Sequence, residues 1–296
     1  MTKATCFLNG RYIPVAKAVI PAVDRGFLFG EGLFETWRTY NGRPFALRQH
    51  LERMRKSARA LGIPFDPGEP WESRTRRLAR INQMVEGGGA VRLTITRGSG
   101  PVSLVPGEPV NPTRLMLFRP LESGLAEARE NGVAVHLMAF GPGVNPALRK
   151  LKTLNYLPAV MGKVAARKLG CFESLYRLDD STVLEGTTSN YFIVRSGKLI
   201  TPPVGGGVLP GITRAMVMQI ASRLINIEEQ VLKVADLRSA DEMFITSSSI
   251  EVLPVTRVDD FAVATGQIGE FTRELQRRYR RKVARSLGLR LDQLGE

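Results

Sequence analysis

Two Asn-Gly pairs constrain the start of the chain more than any other feature. Asn9-Gly10 stands between Thr5-Cys6-Phe7-Leu8 and Tyr12-Ile13; Asn41-Gly42 stands between the run Glu35 to Tyr40 and Phe45. Each pair accepts the positive φ angles of a two-residue turn, so each predicts a β-hairpin. A helix follows the second hairpin. Leu47, Leu51, Met54, Ala58 and Leu61 recur at helical spacing, Arg48, Glu52, Arg55, Lys56 and Arg59 take the opposite face, and Gly62 and Pro64 stop it.

Further strands are expected over Val91 to Thr96, Leu115 to Phe118 and Val133 to Phe140, the last broken by Gly141-Pro142-Gly143. Asn155 to Leu169 reads as a helix with Leu154, Leu157, Met161 and Val164 or Ala165 inward, and Pro158 fits its first turn. A hairpin joins Tyr191 to Val194 with Leu199-Ile200 around Ser196-Gly197. Gly211 opens a helix that carries Met216, Val217, Ile220, Ala221 and Leu224 at helical spacing. Met243-Phe244-Ile245 is a strand that runs into Thr246-Ser247-Ser248-Ser249. Strands interleaved with amphipathic helices make this an α/β (α+β) chain. Arg119-Pro120-Leu121-Glu122-Ser123-Gly124 is the best linker candidate.

Composition removes several function classes. The 296 residues, 43% of them hydrophobic, suffice for one large or two modest cores, and no run has the roughly 18 apolar residues of a membrane helix. The opening Met1-Thr2-Lys3-Ala4-Thr5-Cys6 has no secretory pattern, so a cytoplasmic protein is expected. Cys6 and Cys171 make no disulfide framework, and with His50 and His136 as the two histidines no metal site is expected. The formal charge of +14 raises the question of nucleic acid. The excess gathers at Arg48 to Arg59 and at Arg277, Arg278, Arg280, Arg281, Lys282 and Arg285, which read as solvated helix faces without aromatic interleaving.

Four local features carry chemistry, each with a plainer alternative. Lys152 follows Leu148-Arg149-Lys150-Leu151 at the mouth of the expected helix, with apolar neighbours. A lysine there loses its proton cheaply, as Schiff-base chemistry requires, or else snorkels to water. Glu185, between Leu184 and the turn Gly186-Thr187-Thr188-Ser189-Asn190, can keep a ring nitrogen protonated or can face solvent. Leu209-Pro210-Gly211-Ile212-Thr213 leads into a helix, which makes either a phosphate cradle or an ordinary cap. Thr246 to Ser249 ends a strand and offers hydroxyls, or is a polar turn.

Taken in order, these runs resemble the fold-type IV pyridoxal-phosphate (class IV aminotransferase) family, which includes branched-chain and D-amino-acid aminotransferases and aminodeoxychorismate lyase. The matching runs are Asp24-Arg25-Gly26-Phe27-Leu28-Phe29-Gly30-Glu31-Gly32-Leu33-Phe34-Glu35, His50-Leu51-Glu52-Arg53 and Lys152-Thr153-Leu154-Asn155-Tyr156-Leu157. Glu185 to Asn190, Leu209 to Arg214 and Thr246 to Glu251 complete the set across nearly the whole chain. The resemblance implies pyridoxal 5'-phosphate held as a Schiff base on Lys152, which then shuttles the Cα proton. It implies Glu185 on the pyridine nitrogen, Tyr156 on the phenolic oxygen and Leu209 against the ring. Arg53, Gly211, Ile212, Thr213, Ser247 and Ser248 would hold the phosphate end. It implies two domains, a small N-terminal α/β one (1–119) and a larger C-terminal one (125–296) with a mostly β core flanked by helices. Residues 120–124 join them, the cofactor lies between, and partner loops close the site in a homodimer or higher homo-oligomer.

The substrate is read from Phe34, Thr36, Arg38 and Arg92, with Ser248 and Ser249, and the answer is divided. D-amino-acid enzymes resemble this chain near Thr96-Arg97-Gly98, but their arginine and histidine carboxylate trap falls on Val102 and Leu104, and their tyrosine on Phe34. Branched-chain enzymes share Phe34, Arg38 and Arg92, yet carry glycine at Thr36 and tyrosine at Ala90. The lyases share the Phe34-to-Arg38 pattern and Arg92-Leu93. Strand alternation gives Arg38 and Arg92 each a defined face, suited to carboxylate recognition or to exposed pairing. The expected activity is transfer of an amino group from a D-amino acid or branched-chain L-amino acid to a 2-oxo acid such as 2-oxoglutarate or pyruvate. The alternatives are the lyase, which makes 4-aminobenzoate and pyruvate, and a basic nucleic-acid-binding protein on an old enzyme fold.

Overall fold

A computed structural model describes residues 4–107, 111–139 and 146–295. The expectations placed on Met1 to Lys3, on Phe140 and on the breaker Gly141-Pro142-Gly143 lie outside the described residues. The chain forms two compact units. One comprises the described residues of Met1–Glu122 with Leu151–Asn155 and Ala284–Glu296; the other comprises those of Ser123–Lys150 and Tyr156–Val283.

The first unit is built on a sheet of six strands: β1 (Thr5–Leu8), β2 (Arg11–Pro14), β3 (Gly32–Tyr40), β4 (Arg43–Pro44), β5 (Gly89–Thr96) and β6 (Arg114–Arg119). Their spatial order is β2-β1-β6-β5-β3-β4, antiparallel throughout. Both Asn-Gly turns adopt positive φ, at 45° and 90° for Asn9-Gly10 and at 47° and 69° for Asn41-Gly42. The short helix α1 (Arg25–Phe29) precedes β3 and is capped by Asp24, which also accepts the Thr96 and Thr113 hydroxyls. Helix α2 (Leu47–Ala60) buries Leu51, Met54 and Ala58 as its spacing requires. Helix α3 (Trp71–Ile81), which was not among the expected elements, adds Trp71 and Leu78 to the same core. That core meets the odd-numbered face of the sheet, at Leu33, Trp37, Val91, Leu93 and Ile95.

The second unit contains ten strands: β7 (Val133–Ala139), β8 (Glu173–Arg177), β9 (Thr182–Gly186), β10 (Asn190–Arg195), β11 (Lys198–Thr201), β12 (Asn226–Glu229), β13 (Leu232–Lys233), β14 (Glu242–Ser247), β15 (Glu251–Val258) and β16 (Phe261–Ala262). They run β12-β11-β10-β14-β15-β7-β8-β9-β13, with β16 on β15. The helices are α4 (Leu125–Asn131), α5 (Pro146–Arg149), α6 (Leu157–Lys168), α7 (Ile212–Ala221), α8 (Val234–Arg238) and α9 (Glu270–Leu287), the last ending in the first unit. No described helix is long and apolar enough to cross a membrane.

Three expectations need correction. Helix α6 begins at Leu157 with Pro158 in its first turn, but it buries Ala159, Gly162 and Ala166. Leu157, Met161 and Val164 face outward, at 68%, 62% and 49% exposure. Size decides the inward face: a Cβ at Gly162 would press on Thr187, Met138 and Ser174, and Ser174 donates its hydroxyl to the Gly162 carbonyl at 2.7 Å. Hydrophobic spacing cannot see that close approach to the sheet. Helix α7 ends at Ala221, so Leu224 lies beyond it and is exposed. On α9, Arg277 and Arg278 are solvated and paired with Glu274, as charge runs commonly are, whereas Arg280 is partly buried and lies 3.9 Å from Glu251.

Candidate active-site residues in each unit

Lys152 sits on an extended segment rather than at a helix mouth; α6 starts five residues later. Residues 151–155 return to the first unit and bridge to the start of β3. The Phe34 N–H donates to the Lys152 carbonyl at 2.9 Å, the Leu154 N–H donates to the Gly32 carbonyl at 3.0 Å, and Leu33 pairs with Thr153. Leu151 packs against the first core. The backbone of Lys152 is therefore fixed, and its half-buried side chain carries Nζ to 4.4 Å from the Phe34 ring centroid.

Strand register places the expected substrate residues together. Thr36 lies opposite Arg92 and Arg38 opposite Ala90, with Phe34 two residues before Thr36. Phe34, Thr36, Arg38 and Arg92 thus share the even-numbered face, opposite the α2–α3 core. Arg92 stacks on Phe34 at 3.5 Å, and Arg38, which is buried, stacks on Tyr40 at 4.5 Å.

On the other face, Glu35 points among apolar side chains and meets partners that the sequence alone did not assign to it. Arg53 grips its carboxylate with Nε and Nη2, at 2.6 and 2.7 Å, and His50 Nδ1 lies 2.7 Å from Oε2. Burial alone would raise the Glu35 carboxyl; Arg53 and the His50 N–H outweigh it and hold it at about 2. Burial also pushes the His50 imidazole below its ordinary value, Arg53 and Lys152 add to this, and Glu35 opposes it. Alternation supplied the available signal: it put Glu35 on the core side with Leu33 and Trp37, where a carboxylate needs partners.

In the second unit, Glu185 stands next to last in β9, is buried, and accepts several hydrogen bonds. The Leu209 N–H and Asn190 Nδ2 donate to Oε2 at 2.9 and 3.2 Å, and Arg149 Nη2 lies 3.4 Å from Oε1. Gly211 stands immediately before α7, and a Cβ there would strike the Asn190 side chain. Among the described residues no side chain caps α7, and the N-cap position is Gly211; Thr213 lies buried in the first turn behind half-buried Ile212. The strand β14 ends at Ser247, and Ser247 pairs with Glu251 to close a turn that carries half-buried Ser248 and Ser249. Thr246 Oγ1 is buried and has no hydrogen-bond partner among the described residues. Tyr156 is half-buried immediately before α6.

These features fit pyridoxal phosphate. A helix start without a side-chain cap, with Thr213 in its first turn, suits a phosphate dianion, and a buried carboxylate suits a protonated ring nitrogen. The fit differs in one respect from the expected set: the Arg53 guanidinium is already engaged by Glu35.

The buried histidine makes a prediction about stability. Its folded-state proton affinity is depressed, so as pH falls below about 6.5 the unfolded chain gains a proton that the fold does not. Stability should then fall with pH, by up to about 1.4 kcal/mol per unit from this group. The Glu35 contribution is complete above about pH 4.5 and is lost as pH falls towards about 2. Urea unfolding of wild type and His50→Gln between pH 7.5 and 5 checks this. A shallower slope in the variant is expected, and parallel slopes would show that His50 is not buried neutral.

Residues 32–258 match the family model described as amino-transferase class IV. A putative branched-chain-amino-acid aminotransferase of Methanocaldococcus jannaschii is 35% identical over 93% of this chain and 94% of its own. A D-alanine aminotransferase of Staphylococcus epidermidis is 32% identical over 96% of this chain and 98% of its own. The crystal structure of a branched-chain amino acid aminotransferase from T.th. with pyridoxamine 5'-phosphate superposes with a TM-score of 0.83, at 26% identity, over 95% of this chain and 94% of the other. The motifs, the two sheets and these relatives agree: the chain belongs to the class IV aminotransferases, and it is a pyridoxal-phosphate-dependent transaminase.

Proposed function

We propose that this transaminase takes its amino group from branched-chain L-amino acids and gives it to 2-oxoglutarate or pyruvate, with Lys152 as the point of cofactor attachment. One observation carries the reading: Phe34, Thr36, Arg38 and Arg92 share a single sheet face, and the Lys152 amine lies over Phe34. Phe34 supplies an apolar wall for an aliphatic side chain. Arg92, fixed flat against Phe34, and Arg38, fixed against Tyr40, present planar cations suited to carboxylates. Val102 and Leu104, the positions of the D-enzymes' carboxylate trap, are exposed aliphatics that cannot bind an anion.

Bound pyridoxal phosphate supplies an electron sink for the bonds at the substrate Cα. The chain's own groups do the rest. Lys152 Nζ would hold the cofactor and then carry the proton that leaves the substrate Cα to the cofactor's C4′. Glu185 keeps the ring nitrogen protonated. The first turn of α7, with Ile212 and Thr213, and Ser247 and Ser248 bind the phosphate; Tyr156 bonds the phenolic oxygen, Leu209 packs on the ring, and Ser249 borders the substrate. Arg53 contributes its positive charge while Glu35 holds it in place.

We also propose that a second copy of the chain covers the outward face of α6. Leu157, Val160, Met161 and Val164 form an aliphatic stripe there that water disfavours. Sedimentation should give a dimer or higher species, and Met161→Lys should shift it towards the monomer. A wild-type protein that sediments as a monomer at micromolar concentration would refute this.

Half-reactions with the holoenzyme test the substrate reading. The visible absorbance of the lysine-bound cofactor should be lost on adding L-leucine, L-isoleucine or L-valine, and 2-oxoglutarate should restore it. Loss with D-amino acids alone would overturn the L-specific reading. No response to any amino donor, with turnover of aminodeoxychorismate, would make the enzyme a lyase.

A further inference from the structure

Glu173, on β8, is fully buried, yet none of the roles above uses it. Its carboxylate gathers an unusual number of donors. The Ser174 N–H donates to Oε1 at 3.0 Å, and the Thr187 hydroxyl donates to the same oxygen. The Thr188 hydroxyl and N–H donate to Oε2 at 2.7 and 3.3 Å, and the Ser189 hydroxyl at 3.3 Å. Lys163 Nζ lies 3.5 Å away, which balances the charge.

Three of these donor residues, Thr187, Thr188 and Ser189, are the turn between β9 and β10. That turn separates Glu185 from Asn190, the side chain that donates to Glu185 and to the Leu209 carbonyl. Its backbone is tied as well, by Gly186 N–H to the Ser189 carbonyl at 2.8 Å and by Thr187 N–H to the Ser174 carbonyl at 2.9 Å. At Gly186 a Cβ would run into the Ser189 hydroxyl, so the turn leaves no room for a side chain there. A solvated hairpin turn needs none of this. Thr187 and Ser189 are buried and Thr188 between them is exposed; the two buried hydroxyls need an internal acceptor, and one carboxylate serves them and Thr188 together.

We propose that Glu173 is a positioning residue for the cofactor's ring nitrogen. It holds Thr187, Thr188 and Ser189 so that Asn190 meets Glu185 and sets the direction of the Glu185 carboxylate. This rests on the assignment of Glu185 to the ring nitrogen. Glu173→Gln keeps the shape but leaves one acceptor oxygen, and in either orientation its NH2 group would face a backbone N–H, that of Ser174 or of Thr188, which cannot turn away. The effect should appear in cofactor chemistry and not in stability alone.

The experiment is equilibrium binding of pyridoxal phosphate to apo-enzyme, with the pH midpoint of the bound cofactor's absorbance, for wild type, Glu173→Gln, Glu185→Gln and the double variant. Each single variant should weaken binding by roughly tenfold or more and move the midpoint in the same direction. The double variant should be little worse than Glu185→Gln, because Glu173 acts through Glu185. Thr188→Val, which removes one donor, should give a smaller shift of the same sign and serves if Glu173→Gln does not fold. Additive losses, or a lowered Tm with the midpoint unmoved, would overturn the proposal and leave Glu185 in its role. An unaltered midpoint in Glu185→Gln would overturn the Glu185 assignment, and the proposal with it.

Discussion

The backbone bridge between residues 151–155 and the start of β3 is the constraint on which the rest depends. The chain leaves the second unit for five residues, pairs Thr153 with Leu33, and leaves again at Tyr156. Two hydrogen bonds and the burial of Leu151 hold that excursion. They fix where Lys152 begins, and its side chain then has a short reach to the Phe34 ring. Because Phe34 shares its strand face with Thr36 and Arg38, the same bridge sets the amine beside the groups proposed to read a substrate.

Buried charge is handled the same way on both sheets. Glu35 is balanced by Arg53 and His50, Glu185 by Arg149 with two N–H donors, and Glu173 by Lys163 with backbone and hydroxyl donors. A buried carboxylate is tolerated when its charge is paired and its lone pairs are filled. Such an arrangement adds little net stability over an apolar core but fixes direction. Direction is what a group aimed at a ring nitrogen or a phosphate requires.

The tight hairpins of both sheets were legible in the sequence because their signals are local. Asn9-Gly10, Asn41-Gly42 and Ser196-Gly197 each place a turn, and the spacing of Leu51, Met54 and Ala58 names the buried face of α2. The face of α6 was not legible, since Gly162 is chosen for close approach to the sheet and not for hydrophobicity. Lys152 reads as the mouth of a helix in the sequence because its segment's pairing with β3, more than a hundred residues earlier, leaves no local trace. Its importance came from the ordered motifs shared with a family. Glu35, Asn190 and Glu173 depend on partners brought together by the fold, so residue type alone could not assign them.

Reduction of the holoenzyme with borohydride, followed by peptide mapping, tests the place of Lys152 most directly. The pyridoxyl group should be found on the peptide containing Lys152 and on Lys152 itself. Label on Lys150 or any other lysine, or none despite bound pyridoxal phosphate, would contradict the role assigned to the bridge and the amine it presents.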